Sequence, residues 1–107
     1  MKAYTKEEKS KILFQFAVGL HKAMLDAKTN PTRLALDSGI EKSHMQLIAN
    51  GNKNVTLTTQ MALAEGLKIS YTELATYYNN VSKSDEKRFI AYQEKQQQLK
   101  AHNKKQK

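Results

Sequence analysis

From about residue 5 onward the apolar positions recur every three or four residues, and almost no stretch alternates with the period of a strand. This pattern predicts helices. The first starts near Thr5, with Glu8 three residues on as its capping-box partner, and runs to about Ala27. Ile12, Leu13, Phe16, Ala17, Leu20, Met24 and Leu25 form its apolar stripe, while Lys9, Lys11, His21 and Lys22 face elsewhere. Asn30 suits the N-cap of a second helix, with Pro31 at the first helical position, where a missing N–H is harmless. That helix ends near Ser38, because Gly39 supplies the positive φ of a C-terminal stop. Ile40 then anchors a third helix, from about Lys42 to Ala49, closed by Asn50-Gly51 and followed by the polar loop Asn52-Lys53-Asn54.

Thr56 can cap a fourth helix carrying Leu57, Met61, Ala64 and Leu67. Ser70, with Glu73 as box partner, can cap a fifth from Tyr71 to Tyr78 with Leu74 inward. Ser82 or Ser84 opens a last helical segment whose apolar content is thin: Phe89, Ile90, Tyr92 and Leu99. Beyond Lys100 the sequence AHNKKQK is low in complexity and is expected to be irregular. The chain therefore reads as an all-α protein. Residues 5–79 form a five-helix domain with an extended first helix, and residues 80–107 form a C-terminal helix and basic flexible tail.

The stretch Asn30–Gly51 is the most informative one. A short helix, a glycine turn and a second helix with a polar exposed face make the pattern of a helix-turn-helix, whose second helix enters the DNA major groove. On a 3.6-residue repeat Met45, Ile48 and Ala49 share one side of the third helix, and Lys42, Ser43, Gln46, Leu47 and Asn50 share the other. Lysine can donate to guanine O6 and N7, glutamine can bond adenine bidentately, serine suits several bases, and leucine can touch a thymine methyl. Lys42, Ser43, Gln46 and Leu47 are thus the base-reading candidates. Thr32, Asn50, Asn52, Lys53 and Asn54 are the phosphate candidates on the flanks. Glu41 is awkward, since it suits the helix dipole but repels phosphate unless it accepts from cytosine N4.

Charge sharpens this picture. The formal net charge is +8. Residues 1–28 carry six lysines against Glu7, Glu8 and Asp26; residues 82–107 carry seven lysines and Arg88 against Asp85, Glu86 and Glu94. Between them, residues 29–81 balance Arg33, Lys42, Lys53 and Lys68 against Asp37, Glu41, Glu65 and Glu73. The candidate reader is neutral and the positive excess lies on its flanks. The basic C-terminal segment is either a solvated extension or a source of added phosphate affinity.

In order along the chain, Leu34-Ala35, Gly39, Ile40, Asn50-Gly51, Leu57 through Ala64-x-x-Leu67 and Ile69-Ser70-x-x-x-Leu74 form a set. With it the segment from about Leu20 to Tyr78 resembles the Xre-type helix-turn-helix domains of phage repressors and small bacterial regulators. The resemblance implies a repressor-like fold and operator binding as a homodimer on palindromic DNA. It assigns base reading to Lys42, Ser43, Gln46 and Leu47, and backbone gripping to the start of the second helix and the loop Asn50–Lys53. Where such domains often carry glutamine, Pro31 stands here, leaving Thr32 as the substitute phosphate contact. A partly buried arginine–glutamate pair of that family corresponds to Met24 and Ala49. Both members are apolar here, so no lone charge is buried, an error that typically costs about 3–5 kcal/mol. Gly66 and Lys68 replace the usual alanine and glycine.

Other classes have less to stand on. There is no cysteine, and His21, His44 and His102 are too scattered for a metal site. No carboxylate pair, nucleophile–base set or phosphate-cradling glycine loop indicates an enzyme. No cofactor, metal, membrane or small-molecule ligand is expected, and the cytoplasm is the expected location. The stretch 30–51 could also be a helical hairpin that only packs. The neutral motif and Glu41 favour a second class, a protein-interaction module such as an antitoxin or adaptor. Tyr77, Tyr78, Phe89, Ile90 and Tyr92 exceed what one small core needs and are the dimer-interface candidates. A local controller of a restriction–modification system, prophage or mobile element fits the size.

Overall fold

The computed structural model describes residues 3–105, and the side chains of residues 3–101. It contains six helices and, among the described residues, no strand: α1 Lys6–Asp26, α2 Pro31–Ser38, α3 Lys42–Ala49, α4 Leu57–Leu67, α5 Tyr71–Asn79 and α6 Lys83–Lys105. The starts follow from local chemistry. Thr5 Oγ1 accepts from the Glu8 amide while Glu8 Oε1 accepts from the Thr5 amide, closing a capping box on α1. Asn30 Oδ1 accepts from the Arg33 amide at 2.9 Å and caps α2. Thr56 caps α4, Ser70 and Glu73 form the box of α5, and Ser82 with Asp85 does the same for α6.

The stops are equally local. Gly39 lies in the left-handed region at φ 70° and ends α2, with the Ile40 amide donating back to the Ala35 carbonyl at 2.9 Å. Lys28 and Lys68 adopt the same left-handed conformation after α1 and α4, at φ 55° and 61°. A lysine tolerates it there at some cost that glycine would not incur.

The main core gathers Phe16, Leu20 and Met24 of α1 with Leu34 of α2, Met45 and Ile48 of α3, Leu63 and Leu67 of α4, and Leu74 of α5. A second, smaller cluster joins Ala17 and Val18 of α1 to Phe89 of α6, with Phe14 and Val81 at its edge. Six consecutive α1 residues, Phe16 to His21, are therefore buried. A helix buried on all sides needs neighbours on more than one face, and α5, α3 and α6 supply them.

This arrangement corrects three expectations. Ile12 and Leu25, read as part of a single inward stripe, are 46% and 49% exposed because they lie beyond the wrapped segment. His21, placed outside, is buried against Phe89 and Tyr92, with ring centroids 5.6 and 4.6 Å away. The segment after Lys100, expected to be irregular, stays helical to Lys105; Gln106 and Lys107 lie outside the described residues. Leu57 and Met61 of α4 are 59% and 49% exposed. The arc of α4 that faces α2 is Leu63, Ala64 and Leu67, and Gly66 sits hard against Ser38 and Leu34 of α2. An alanine at this position would require the Ser38 hydroxyl to turn away and Leu34 to give slightly.

Two predictions follow from α1. A β-carbon on Gly19 would lie 2.6 Å from Tyr78 Cα, so Gly19→Ala must push α5 off α1. Overpacking of this kind costs about 1–3 kcal/mol, readable as a lower urea midpoint at unchanged slope. The His21 pKa is lowered, first by burial and second by the charge of Arg88. Since the unfolded chain holds that proton more tightly, the His21 contribution is complete above pH 6.5 and is lost as pH falls through the lowered folded value. Glu8 and Asp85 are also lowered, chiefly by hydrogen bonds from the backbone amides of Thr5 and Ser82, but from 4.5 and 3.8, so they act in a more acid window. Thermal melts between pH 7.5 and about 5 should lose stability in the native chain and show a flatter profile in His21→Leu.

Candidate nucleic-acid interface

The helix-turn-helix is α2, the Gly39 turn and α3. Met45 and Ile48 are fully buried and Ala49 nearly so, which clamps one side of α3 to the core. The opposite side is free: Lys42, Ser43 and Leu47 are exposed and Gln46 is half-buried. Leu47 keeps 44% of its surface in solvent on this polar face. The structure thus brings all four base-reading candidates to one arc of one helix, backed by rigid packing.

The start of α3 differs from those of the other helices. Glu41 occupies its N-cap without making a side-chain cap hydrogen bond, whereas α1, α2, α4, α5 and α6 each have a capping side chain. The first-turn N–H groups of α3 are therefore left for solvent or a ligand, at the positive end of the helix.

The phosphate candidates divide. Thr32 is exposed in the first turn of α2, next to the Asn30 cap. Asn52, Lys53 and Asn54 are exposed in the loop after α3. This loop is held from both sides. The Asn52 amide donates to the Leu47 carbonyl at 2.9 Å, and Gly51, at φ 73°, brings its backbone against Leu13 and Phe14 of α1. Asn50 is exposed but already engaged: its Nδ2 donates to the Gln46 carbonyl at 2.9 Å, and its Oδ1 accepts from Gln93 Nε2 at 3.1 Å. Its role is to fix the end of α3 and to tie it to α6. Arg33, nearby on α2, is paired with Asp37 at 3.4 Å.

Sequence reasoning missed Gln93 and the cleft beside it. His21, Met24, Thr32, Gln46 and Asn50 line one wall of a cleft of about 290 Å³, and Phe89, Tyr92, Gln93, Gln96 and Lys100 of α6 line the other. Met24 and Ala49 both line it, and both are apolar. The signal for α6 was the spacing of Phe89, Tyr92, Gln93, Gln96 and Lys100 on a single helical stripe.

The dimer-interface candidates are mostly occupied within the chain. Phe89 is 1% exposed, in edge contact with Phe14, and leaves no surface for a second molecule; its assignment as an interface residue is corrected to core. Tyr77 donates its hydroxyl to Asp26 at 2.7 Å, Tyr78 packs on Phe16, and Tyr92 on His21. Ile90 is exposed. The apolar surface that remains on α4 and α5 is Leu57, Met61 and Tyr71, the last hydrogen-bonded to Gln60 at 3.4 Å.

No group of three or more His, Cys, Asp or Glu among the described residues is placed to hold a metal ion. No helix among the described residues is long and apolar enough to cross a membrane. No family model and no curated protein matches the chain. Among solved structures it is similar to the restriction-modification controller protein C.AhdI from Aeromonas hydrophila. The identity is 29%, the match covers 58% of this chain and 94% of that one, and the TM-score is 0.55. Nearly all of the controller is thus matched by part of this chain, whose remainder has no counterpart in it. The chain is an all-α, repressor-like helix-turn-helix domain, the fold of a DNA-binding transcription regulator.

Proposed function

We propose that this protein is a sequence-specific double-stranded DNA-binding regulator of transcription that sets α3 in the major groove. The observation that carries the reading is the exposed arc of Lys42, Ser43, Gln46 and Leu47, clamped from behind by buried Met45 and Ile48. A reading helix has to present base-edge donors without moving, and a core-locked face does this at little ordering cost. Lys42 donates to guanine O6 and N7, Gln46 pairs with adenine N6 and N7, Leu47 meets a thymine methyl, and Ser43 fits either neighbour. Thr32 on one side and Asn52, Lys53 and Asn54 on the other hold the two phosphate strands and fix the register. The likeness to a restriction-modification controller supports a regulator of a small genetic unit.

The protein acts as a homodimer on a palindromic site, with half-sites about one helical turn, roughly 10 bp, apart. Leu57 and Met61, one turn apart on α4, together with Tyr71 supply the exposed apolar surface for that pairing. With each of these side chains only 38–59% exposed, burying the remainder is worth roughly 1 kcal/mol apiece, enough to matter in a small interface.

Selection of binding sites from random duplex DNA tests the reading. A palindrome should be enriched, and Lys42→Ala/Gln46→Ala should lose about 2–6 kcal/mol of discrimination at the corresponding base pairs while the protein stays folded. Absence of any enriched sequence overturns the regulator reading and directs the search to a protein partner. In sedimentation, Leu57→Glu/Met61→Glu should run as a monomer with a native circular dichroism spectrum; a surviving dimer places the pairing surface elsewhere.

A further inference from the structure

We propose that α6 is a second DNA-binding element, whose cleft-facing side carries Gln96 and Lys100 onto the sugar-phosphate backbone beside the α2–α3 motif. The inference rests on the placement of α3 in the major groove given above. At 23 residues, α6 is roughly 34 Å long at 1.5 Å per residue. Its first half is held by apolar packing through Phe89 and Tyr92. From Glu94 to Ala101 every residue is exposed. That second half does not run off into solvent away from the motif. Gln93 donates to Asn50 at the end of α3, and Gln96 and Lys100 share the cleft with Thr32 and Gln46.

The chemistry of the stripe changes along the helix. It is aromatic where it faces α1, and amide and ammonium where it faces the motif. Glu94 lies about 140° from Phe89 around the helix, away from the cleft. Sequence positions 93–107 hold Lys95, Lys100, Lys104, Lys105 and Lys107 against the single acid Glu94. The motif itself is neutral and has to draw its attraction for a polyanion from elsewhere. A cation and amide donors held by packing and by the Gln93–Asn50 hydrogen bond, at the edge of the reading face, suit phosphate oxygens already gripped by Thr32. Because the helix is already docked, little of the contact energy goes into ordering it.

The test compares full-length variants on the selected operator across a salt titration. Gln96→Ala/Lys100→Glu should keep the operator sequence, weaken binding about tenfold or more near 0.1 M salt, and make the slope of log K against log salt shallower by about 1. Lys95→Glu, an equal charge change about 120° from Phe89 on the far side, should change affinity less than about threefold. Equal losses for the two variants would reduce α6 to a diffuse charge. Unchanged binding in the double variant overturns the contact, and tighter binding would make α6 a mask over the motif. If the native protein enriches no operator, the reading of α3 fails. The same salt slopes measured on a random-sequence duplex then decide α6 independently, and equal slopes for native and double variant overturn it.

Discussion

The segment Phe16–His21 of α1 is the constraint on which the rest of the structure depends. Buried on every side, it presents Gly19 to the backbone of α5, Phe16 to Tyr78, Leu20 to the core around α3, and Ala17, Val18 and His21 to α6. A side chain at Gly19 would separate α1 from α5, and a smaller one at Phe89 would loosen α6. Because α2 and α3 close the core that α1 anchors, the orientation of the polar arc on α3 is set by contacts that never reach that arc. Interiors packed at crystal-like density transmit such constraints, since no side chain can shift without displacing another.

That separation explains why the reading face can be chemically modest. Lys42, Ser43 and Leu47 are exposed, and Met45 and Ile48 hold α3 in place from the buried side. The face is free to vary with the sequence to be read, while the turn at Gly39 and the cap at Asn30 fix its geometry. Glu41 fits the same logic. It leaves the first turn of α3 without a side-chain cap, so amides that a cap would satisfy stay open at the exposed start of the proposed reading helix.

Much of this was legible in the sequence because it is local. Helix starts at Thr5, Asn30, Thr56 and Ser70 and the stop at Gly39 each depend on two or three neighbouring residues, and the structure has them where the capping patterns require. The buried and exposed sides of α3 followed from a 3.6-residue repeat. What could not be read was anything decided by a second partner. His21 looks like a surface residue until α6 covers it. Phe89 looks like a spare aromatic until α1 takes it into the core. A single periodic stripe describes a helix with one neighbour, and α1 has three.

The position of α6 bears on how affinity and specificity are divided in this molecule. A neutral motif gains little from the general attraction of DNA, so wrong sequences hold it weakly and base-edge contacts decide where it rests. Positive charge on the reading face would raise affinity for every site alike and blunt that discrimination. On the proposed α6 contact, charge placed one helix away and registered to α3 by Gln93 and Asn50 adds attraction for phosphate without occupying the base-reading arc. The same hydrogen bond is a vulnerability. Asn50 makes its two contacts with a carbonyl of α3 and an amide of α6, so a change there would free both the end of the reading helix and the helix that steadies it.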